Sequence, residues 1–446
     1  MEQAIFSAIV IITFLVAFRK YNFVYRNIML GKQDKIEGNR AQRFKNTMMI
    51  ALGQKKMFKR PLAATMHLFI YVAFMFTQIE LIEIFIDGFS GHHRFFHEYL
   101  GGFYTFLINF IEFLSVGAFL ATIVFLSRRN LLKLPRFVKP EMNGWPKLDG
   151  NLILYGEFLL VTFIFMMNSA DMQLHPDLGF FISGQLSPLW AATSNSNLEI
   201  IESIGWWGHI LVVFAFLNYL PYSKHLHILL AFPNTYYARL TPKGEMKNMP
   251  DIQKEVASMF DPDAAFEEPD PNAPLPKFGV SDVFDLHWTD LLAAYTCTEC
   301  GRCTSVCPAN ITGKKLSPRK IMMDIRDRSE EIGKNIKINK TEFIADEHKE
   351  NTTILTAENY NDSKNLFDYI SQEELLACTT CNACMEACPV MISPVDIIVE
   401  LRRNSILELS QSPEPWNSMF NAIENNGAPW AFSPDDRDKW IEEANA

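Results

Sequence analysis

Eight cysteines, every one in the chain, fall into two runs of identical spacing. The first is Cys297-Thr-Glu-Cys300-Gly-Arg-Cys303-Thr-Ser-Val-Cys307-Pro308. The second is Cys378-Thr-Thr-Cys381-Asn-Ala-Cys384-Met-Glu-Ala-Cys388-Pro389. Both read C-x2-C-x2-C-x3-C-P. That spacing lets three close thiolates grip three irons of a [4Fe–4S] cube, while the cysteine before proline crosses to the other cube. The expected ligand sets are therefore Cys297, Cys300, Cys303 and Cys388 for one cluster, and Cys378, Cys381, Cys384 and Cys307 for the other. Zinc fits poorly, because zinc sites use separated C-x2-C pairs. A disulfide framework fits worse, since the cysteines are not set in a small secreted domain.

The elements that must position these thiols are also repeated. Ser317-Pro318 follows the first run and Ser393-Pro394 the second, each opening a helical pattern with serine as N-cap and proline as first helical residue. Leu291–Ala294 and Glu373–Ala377 read as helix before each run. The runs start 81 residues apart, at 297 and 378. This predicts an α-helical two-cluster ferredoxin domain over 291–410, with a polar surface insertion at 335–365. Residues 240–290 read as a Pro-rich, acidic linker. Residues 411–446, with Trp416, Trp430 and Trp440, read as a docking tail.

The first half is different in kind. The 36 phenylalanines concentrate before residue 235, and five apolar stretches are long enough to cross a bilayer: about 3–18, 62–86, 103–126, 151–168 and 204–220, the last running on toward 231. The first lacks a basic leader and a cleavage site, and is read as a retained helix. Basic residues cluster in loops 19–60 and 127–150, while loop 87–102 has only Arg94 and loop 169–203 has no Lys or Arg. The positive-inside rule then puts the N-terminus outside and the cysteine domain in the cytoplasm of a bacterial cell membrane. Charge follows the same division. Residues 251–446 hold 35 acidic and 18 basic residues, against 16 and 23 in residues 1–250. An acidic soluble domain on a basic membrane base argues against nucleic acid as a partner.

Histidines inside spans are costly unless they meet a partner or a cofactor. His67 lies early in the second span, and His209, His225 and His227 lie along the fifth. Paired imidazoles on facing helices hold b-type haem iron. A haem near the basic end would take His67 with His227 or His225. His209 and His227, 18 residues apart, share one face of an ideal helix about 27 Å apart, although Pro221 lies between them. A second haem would then need His209 with His97, or with His92 or His93. Glu112 and Glu157 sit inside spans, Asn109 one turn before Glu112, as proton-relay candidates for quinone chemistry.

Taken together, Thr296–Cys303, Leu316–Lys320, Glu374–Cys381 and Glu386–Pro389 resemble the heterodisulfide-reductase-like membrane iron–sulfur oxidoreductases. Pro221–His227 and the membrane half resemble the haem b subunit of respiratory nitrate reductase, which that family uses. The resemblance implies a mainly α protein: a five-helix transmembrane haem b bundle over 1–239 followed by the cytoplasmic ferredoxin domain. It implies electron transfer between a cytoplasmic partner and menaquinone or another quinone, through two [4Fe–4S] clusters and one or two haems b. Lys224 and the nearby histidines are candidates to line the quinone site. Two departures stand out. The nitrate reductase subunit has two histidines on its second span where this chain has only His67. Family members often continue into cysteine-rich CCG domains, for which no cysteine is left over here. The alternative is therefore an electron relay and membrane anchor, with no substrate site, serving a CCG-domain iron–sulfur or flavoprotein subunit.

Overall fold

The computed structural model describes residues 2–36, 38–260 and 277–446. Residues 261–276 of the expected 240–290 linker lie outside them. The described residues form helices joined by turns, with no strand longer than an isolated bridge.

Five helices are long and apolar enough to cross a membrane. They are α1 (Glu2–Ile28), α2 (Pro61–Ser90), α3 (Gly102–Asn130), α4 (Trp145–Leu174) and α5 (Asn195–Tyr219). The first four cover the apolar stretches read from the sequence and extend them; α5 begins earlier than the fifth stretch and stops at Tyr219, short of the expected run toward 231. The bundle pairs α4 with α5 and α2 with α3, and α1 leans on α2 and α5. Small residues allow close approach, as in membrane helices generally. A Cβ on Gly205 of α5 would lie 2.6 Å from the backbone nitrogen of Met167 on α4, and one on Gly88 of α2 would strike the ring of Phe6 on α1. The outward faces are apolar: Phe18, Phe106 and Phe113 are each more than half exposed.

Pro221 ends the fifth span. After α5 the chain makes a 3₁₀ turn at Leu220–Tyr222, an extended Ser223 and a second 3₁₀ turn at Lys224–Leu226. It then enters α6 (His227–Tyr237). His209 and His227 therefore do not share one continuous helix, and the expected common face is broken. The physical reason is the proline ring, which removes a backbone donor and blocks the turn before it.

The cysteine domain is built on α7 (Trp288–Thr296), α8 (Pro318–Lys337) and α9 (Pro394–Arg403) around Leu291, Ile321, Ile325, Ile332, Ile397 and Ile398. Val280, Val283 and Leu286 belong to the same core, so the chain joins this domain before residue 291. Residues 335–365 fold back onto α8: Asp362 pairs with the buried Arg328 at 2.6 Å, and Leu355 is buried. In the tail, Trp430 and Trp440 are exposed. Ser317 caps α8 as its sequence suggests, accepting from Lys320 N at 3.4 Å. Ser393 does not cap α9; its hydroxyl is buried without a partner.

The domain sits on the basic end of the bundle. The buried Arg319 donates to Arg136 O (2.6 Å) and Glu141 Oε1 (2.7 Å). Arg302 reaches Lys56 O and Met57 O, Lys56 donates to Met385 O (3.2 Å), and Asn27 Nδ2 donates to the Tyr295 hydroxyl (2.9 Å). Lys56, Lys59 and Arg60 of the basic loop 19–60 are thus docking contacts as well, Lys59 bonding Glu386 and Arg60 bonding Ser305 at 2.6 Å.

Candidate redox centres

The two cysteine runs share a backbone plan. Glu299 and Gly301 adopt φ of 51° and 69°; Thr380 and Asn382, at the equivalent positions, adopt 53° and 58°. Left-handed residues among right-handed ones turn successive N–H groups inward, forming the concave nests that bind anionic iron–sulfur centres. Two amides already point at sulfur: Thr380 N at Cys378 Sγ (3.4 Å) and Ile392 N at Cys388 Sγ (3.3 Å). Gly301 and Asn382 are residue types that tolerate this conformation, a signal legible in the sequence. Glu299 and Thr380 give no such signal.

The folding of one run against the other crosses the last cysteines. Cys388 interacts electrostatically with Cys297, Cys300 and Cys303, whereas Cys307 interacts with Cys378 and Cys384. Cys303 also interacts with Cys384, so the two ligand sets read from the C-P spacing lie side by side. All eight thiols are free of disulfides. Burial pushes Cys297 and Cys384 up to about 12 and Cys388 up to about 11. Such thiols keep their protons in the absence of metal, so taking up iron as thiolates releases protons. The donor chemistry, the nests and the orphaned hydroxyl of Ser393 beyond Cys388 all fit an iron–sulfur group in each quartet. Cations border both: Arg136 and Arg302 act on Cys300, Lys56 on Cys388 and Arg402 on Cys378.

Residues 296–392, which contain all eight cysteines, match the family model described as a 4Fe-4S dicluster domain. The chain carries an iron–sulfur ferredoxin domain. Three curated relatives extend the comparison. The "Probable iron-sulfur-binding oxidoreductase FadF" of Bacillus subtilis is 26% identical over 96% of this chain and 60% of its own length. The "EtfAB:quinone oxidoreductase" of Syntrophomonas wolfei is 26% identical over 93% of this chain and 55% of its own length. The "Probable membrane-anchored ferredoxin" of Chromohalobacter salexigens is 32% identical over 40% of this chain and 25% of its own length. The chain thus spans about 60% or less of these relatives. No solved structure matches it.

Beneath the dicluster domain three histidines gather. The rings of His67 and His227 are 6.4 Å apart between centroids, and those of His225 and His227 are 5.6 Å apart. Two imidazoles on opposite sides of one metal ion have centroids about 6 Å apart, from metal–nitrogen bonds of about 2 Å. His67 Nδ1 is 3.1 Å from Gln54 Oε1, and His227 Nδ1 is 3.0 Å from Lys224 O. Each acceptor holds the Nδ1 proton and frees Nε2, the way ligand imidazoles are oriented. One turn beyond His67, the Tyr71 hydroxyl is buried without a partner. These features fit a bis-imidazole group at this end.

The other candidates lie apart from that cluster. His209 Nδ1 is 3.1 Å from Leu160 O, His97 packs on Tyr104, His92 on Phe95, and His93 on His175. Glu112 is fully engaged in fixing the chain at 181–186: it accepts from Ile182 N (3.0 Å), Ser183 N (3.2 Å), the Ser183 hydroxyl and Asn168 Nδ2 (3.3 Å). Asn109 likewise bonds Phe181 N and Gly179 O.

One residue escaped sequence reasoning altogether. Glu299, inside the first run, is buried between Lys224 and Arg326, bonding the Lys224 ammonium directly and Arg326 at 2.8 Å. Burial alone would raise its carboxyl, but Lys224 and Arg326 hold it below the usual range. Lys224 also donates to Pro146 O (2.7 Å), and its neighbour Ser223 bonds Asp149 (2.6 Å). The segment carrying His225 and His227 is therefore tied to the loop carrying Cys297 and Cys300.

Proposed function

We propose that the chain is a membrane-bound electron-transfer subunit. It passes electrons between a cytoplasmic redox partner and the quinone pool of the bacterial cytoplasmic membrane, the dicluster domain lying on the cytoplasmic side. In this reading Cys297, Cys300, Cys303 and Cys388 hold one [4Fe–4S] cluster and Cys378, Cys381, Cys384 and Cys307 the other. His67 and His227 hold a haem b, with His225 packed beside them. The single observation that carries the reading is the Lys224–Glu299 contact, which joins the histidine segment to the first cysteine run.

Iron–sulfur clusters and haem supply one-electron steps that connect a two-electron donor to a quinone. The chain's own residues do the rest. Nests and N–H to sulfur bonds stabilise negative charge on the thiolates. Arg136, Arg302, Lys56 and Arg402 favour the reduced, more negative state of each centre. Gln54 and the Lys224 carbonyl fix the imidazole tautomers. A second haem on His209 would need a partner imidazole; the engagement of His97, His92 and His93 elsewhere favours one haem. The name of the Syntrophomonas relative, EtfAB:quinone oxidoreductase, supports quinone as one terminus and a protein partner as the other.

The second reading, a relay without a substrate site that serves a CCG-domain or flavoprotein subunit, draws support from the extra length of the relatives. Quinol oxidation by the purified chain separates the two. Activity with this chain alone supports a quinone site within it; inactivity with intact cofactors supports the relay. Direct disulfide reduction is disfavoured, because every thiol has a cluster to hold.

A further inference from the structure

At the end of the bundle away from the dicluster domain, three side chains meet that electron transfer does not use. His93 lies in the turn between α2 and α3. Asp171 is in the last turn of α4, and His175 follows four residues later as its C-cap. His93 Nε2 lies 3.2 Å and His175 Nδ1 2.8 Å from the same atom, Asp171 Oδ1. The two rings are tilted by 36° with centroids 5.0 Å apart. One donor atom from each of the three residues falls within 4.8 Å of the others. A tetrahedral ion with bonds of about 2.0–2.1 Å sets its ligand atoms about 3.3 Å apart; the His93 spacing matches this, while His175 sits at hydrogen-bond distance from Asp171 and would move outward by about 0.5 Å to share an ion with it.

The surroundings are those of a prepared ligand set. Asp171 is wholly buried while both imidazoles are about half exposed, so the carboxylate is fixed and one side stays open. Its other oxygen, Oδ2, accepts from Arg94 Nε at 3.0 Å, the outer-sphere bond that orients a metal-binding carboxylate. Arg94 is itself held by Asn168 (2.6 Å) and lies 3.8 Å from Glu80. Arg94 is thus shared between Asp171 and Glu80. A cavity of about 540 Å³, lined by His92, His93, Arg94 and Glu202 among others, adjoins the site and leaves room for water or a further ligand. Two imidazoles and a carboxylate suit zinc or copper.

We propose that His93, Asp171 and His175 bind one divalent transition-metal ion. The ion ties the α2–α3 turn to the end of α4. The proposal is independent of the haem and quinone reading. The test uses the full chain with its clusters intact, dialysed against buffered free Zn²⁺ and analysed for retained zinc. One zinc per chain at micromolar free Zn²⁺ is expected. His93→Gln and His175→Gln should each weaken binding at least tenfold. His348→Gln, at an exposed histidine of the dicluster domain, should leave it unchanged. Cu²⁺ bound in place of zinc should show hyperfine coupling to two imidazole nitrogens by electron paramagnetic resonance, and to one in either variant. Because His93 and His175 are half exposed, unchanged cluster absorbance will establish that the variants fold. Absence of zinc in the wild type overturns the proposal, as does binding that survives either substitution.

Discussion

Glu299→Gln is the substitution whose effect the structure sets most sharply. The carboxylate lies between two cations, and the side chains of Glu299, Lys224 and Arg326 are 2%, 8% and 14% exposed. Neutralising it leaves two buried charges facing an amide, with Asp149 3.7 Å from Lys224 and Asp327 3.0 Å from Arg326 as their remaining carboxylates. Breaking a buried pair from one side costs about 3–5 kcal/mol, because the surviving charge stays desolvated, and these carboxylates put the cost toward the lower end. At about 1.4 kcal/mol per tenfold, the closed interface loses about two to three and a half orders of magnitude in its equilibrium against opening. Lys224→Met should cost less, since Glu299 keeps Arg326. The double variant should recover part of the Glu299→Gln loss, with a coupling of about 0.5–3 kcal/mol. The assay is native-state hydrogen exchange in lipid nanodiscs, read on peptides covering 288–303 and 218–231, which reports local opening energies directly. Both peptides should lose protection together. A Glu299→Gln protein within about 0.5 kcal/mol of wild type, the range of ordinary surface substitutions, would refute the reasoning.

Other consequences are open to direct test. Cys388→Ser should damage the cluster of the first run, and Cys307→Ser that of the second; paramagnetic resonance of the reduced protein should show each variant losing the signal of the opposite run. His67→Ala and His227→Ala should each abolish b-type absorbance while leaving the iron–sulfur absorbance intact; His225→Gln should retain both, read from dithionite-reduced spectra. Burial raises the Asp324 carboxyl to about 6, with Lys320 offsetting part of the effect. An acid that binds its proton more tightly in the folded state penalises folding once ionised, so this cost is absent below about pH 4 and complete above about pH 7. At about 1.4 kcal/mol per pKa unit, Asp324→Asn should gain up to about 3 kcal/mol on wild type across that window, less its lost bond to Lys320, measured by thermal unfolding against pH.

What was legible in the sequence was mostly local. The C-P spacing reads as two clusters because the three close thiolates and the cysteine before proline are set by neighbours in sequence. The apolar stretches foretold five long helices, because their length is fixed by the bilayer. Pro221 was visible as a disturbance, but that α5 would stop and restart as α6 at His227 depended on Asp149 and Glu299 anchoring Ser223 and Lys224 from distant parts of the chain. The same distance hid Glu299, which reads as a polar filler between two cysteines until Lys224 comes to meet it. Ser317 and Ser393 look equivalent in sequence, yet only the first caps. The His93–Asp171–His175 group spans 83 residues and carries no spacing signal beyond the Asp-x3-His step at the end of α4.

The central claim is that two clusters and a haem lie along one path through this chain. Iron, acid-labile sulfide and pyridine haemochrome analysis of the purified protein tests it most directly. About eight non-haem irons and eight sulfides are expected, as two four-iron clusters require, together with one haem b. Clusters without haem would contradict it, leaving an iron–sulfur domain on a membrane anchor with no route to quinone through His67 and His227.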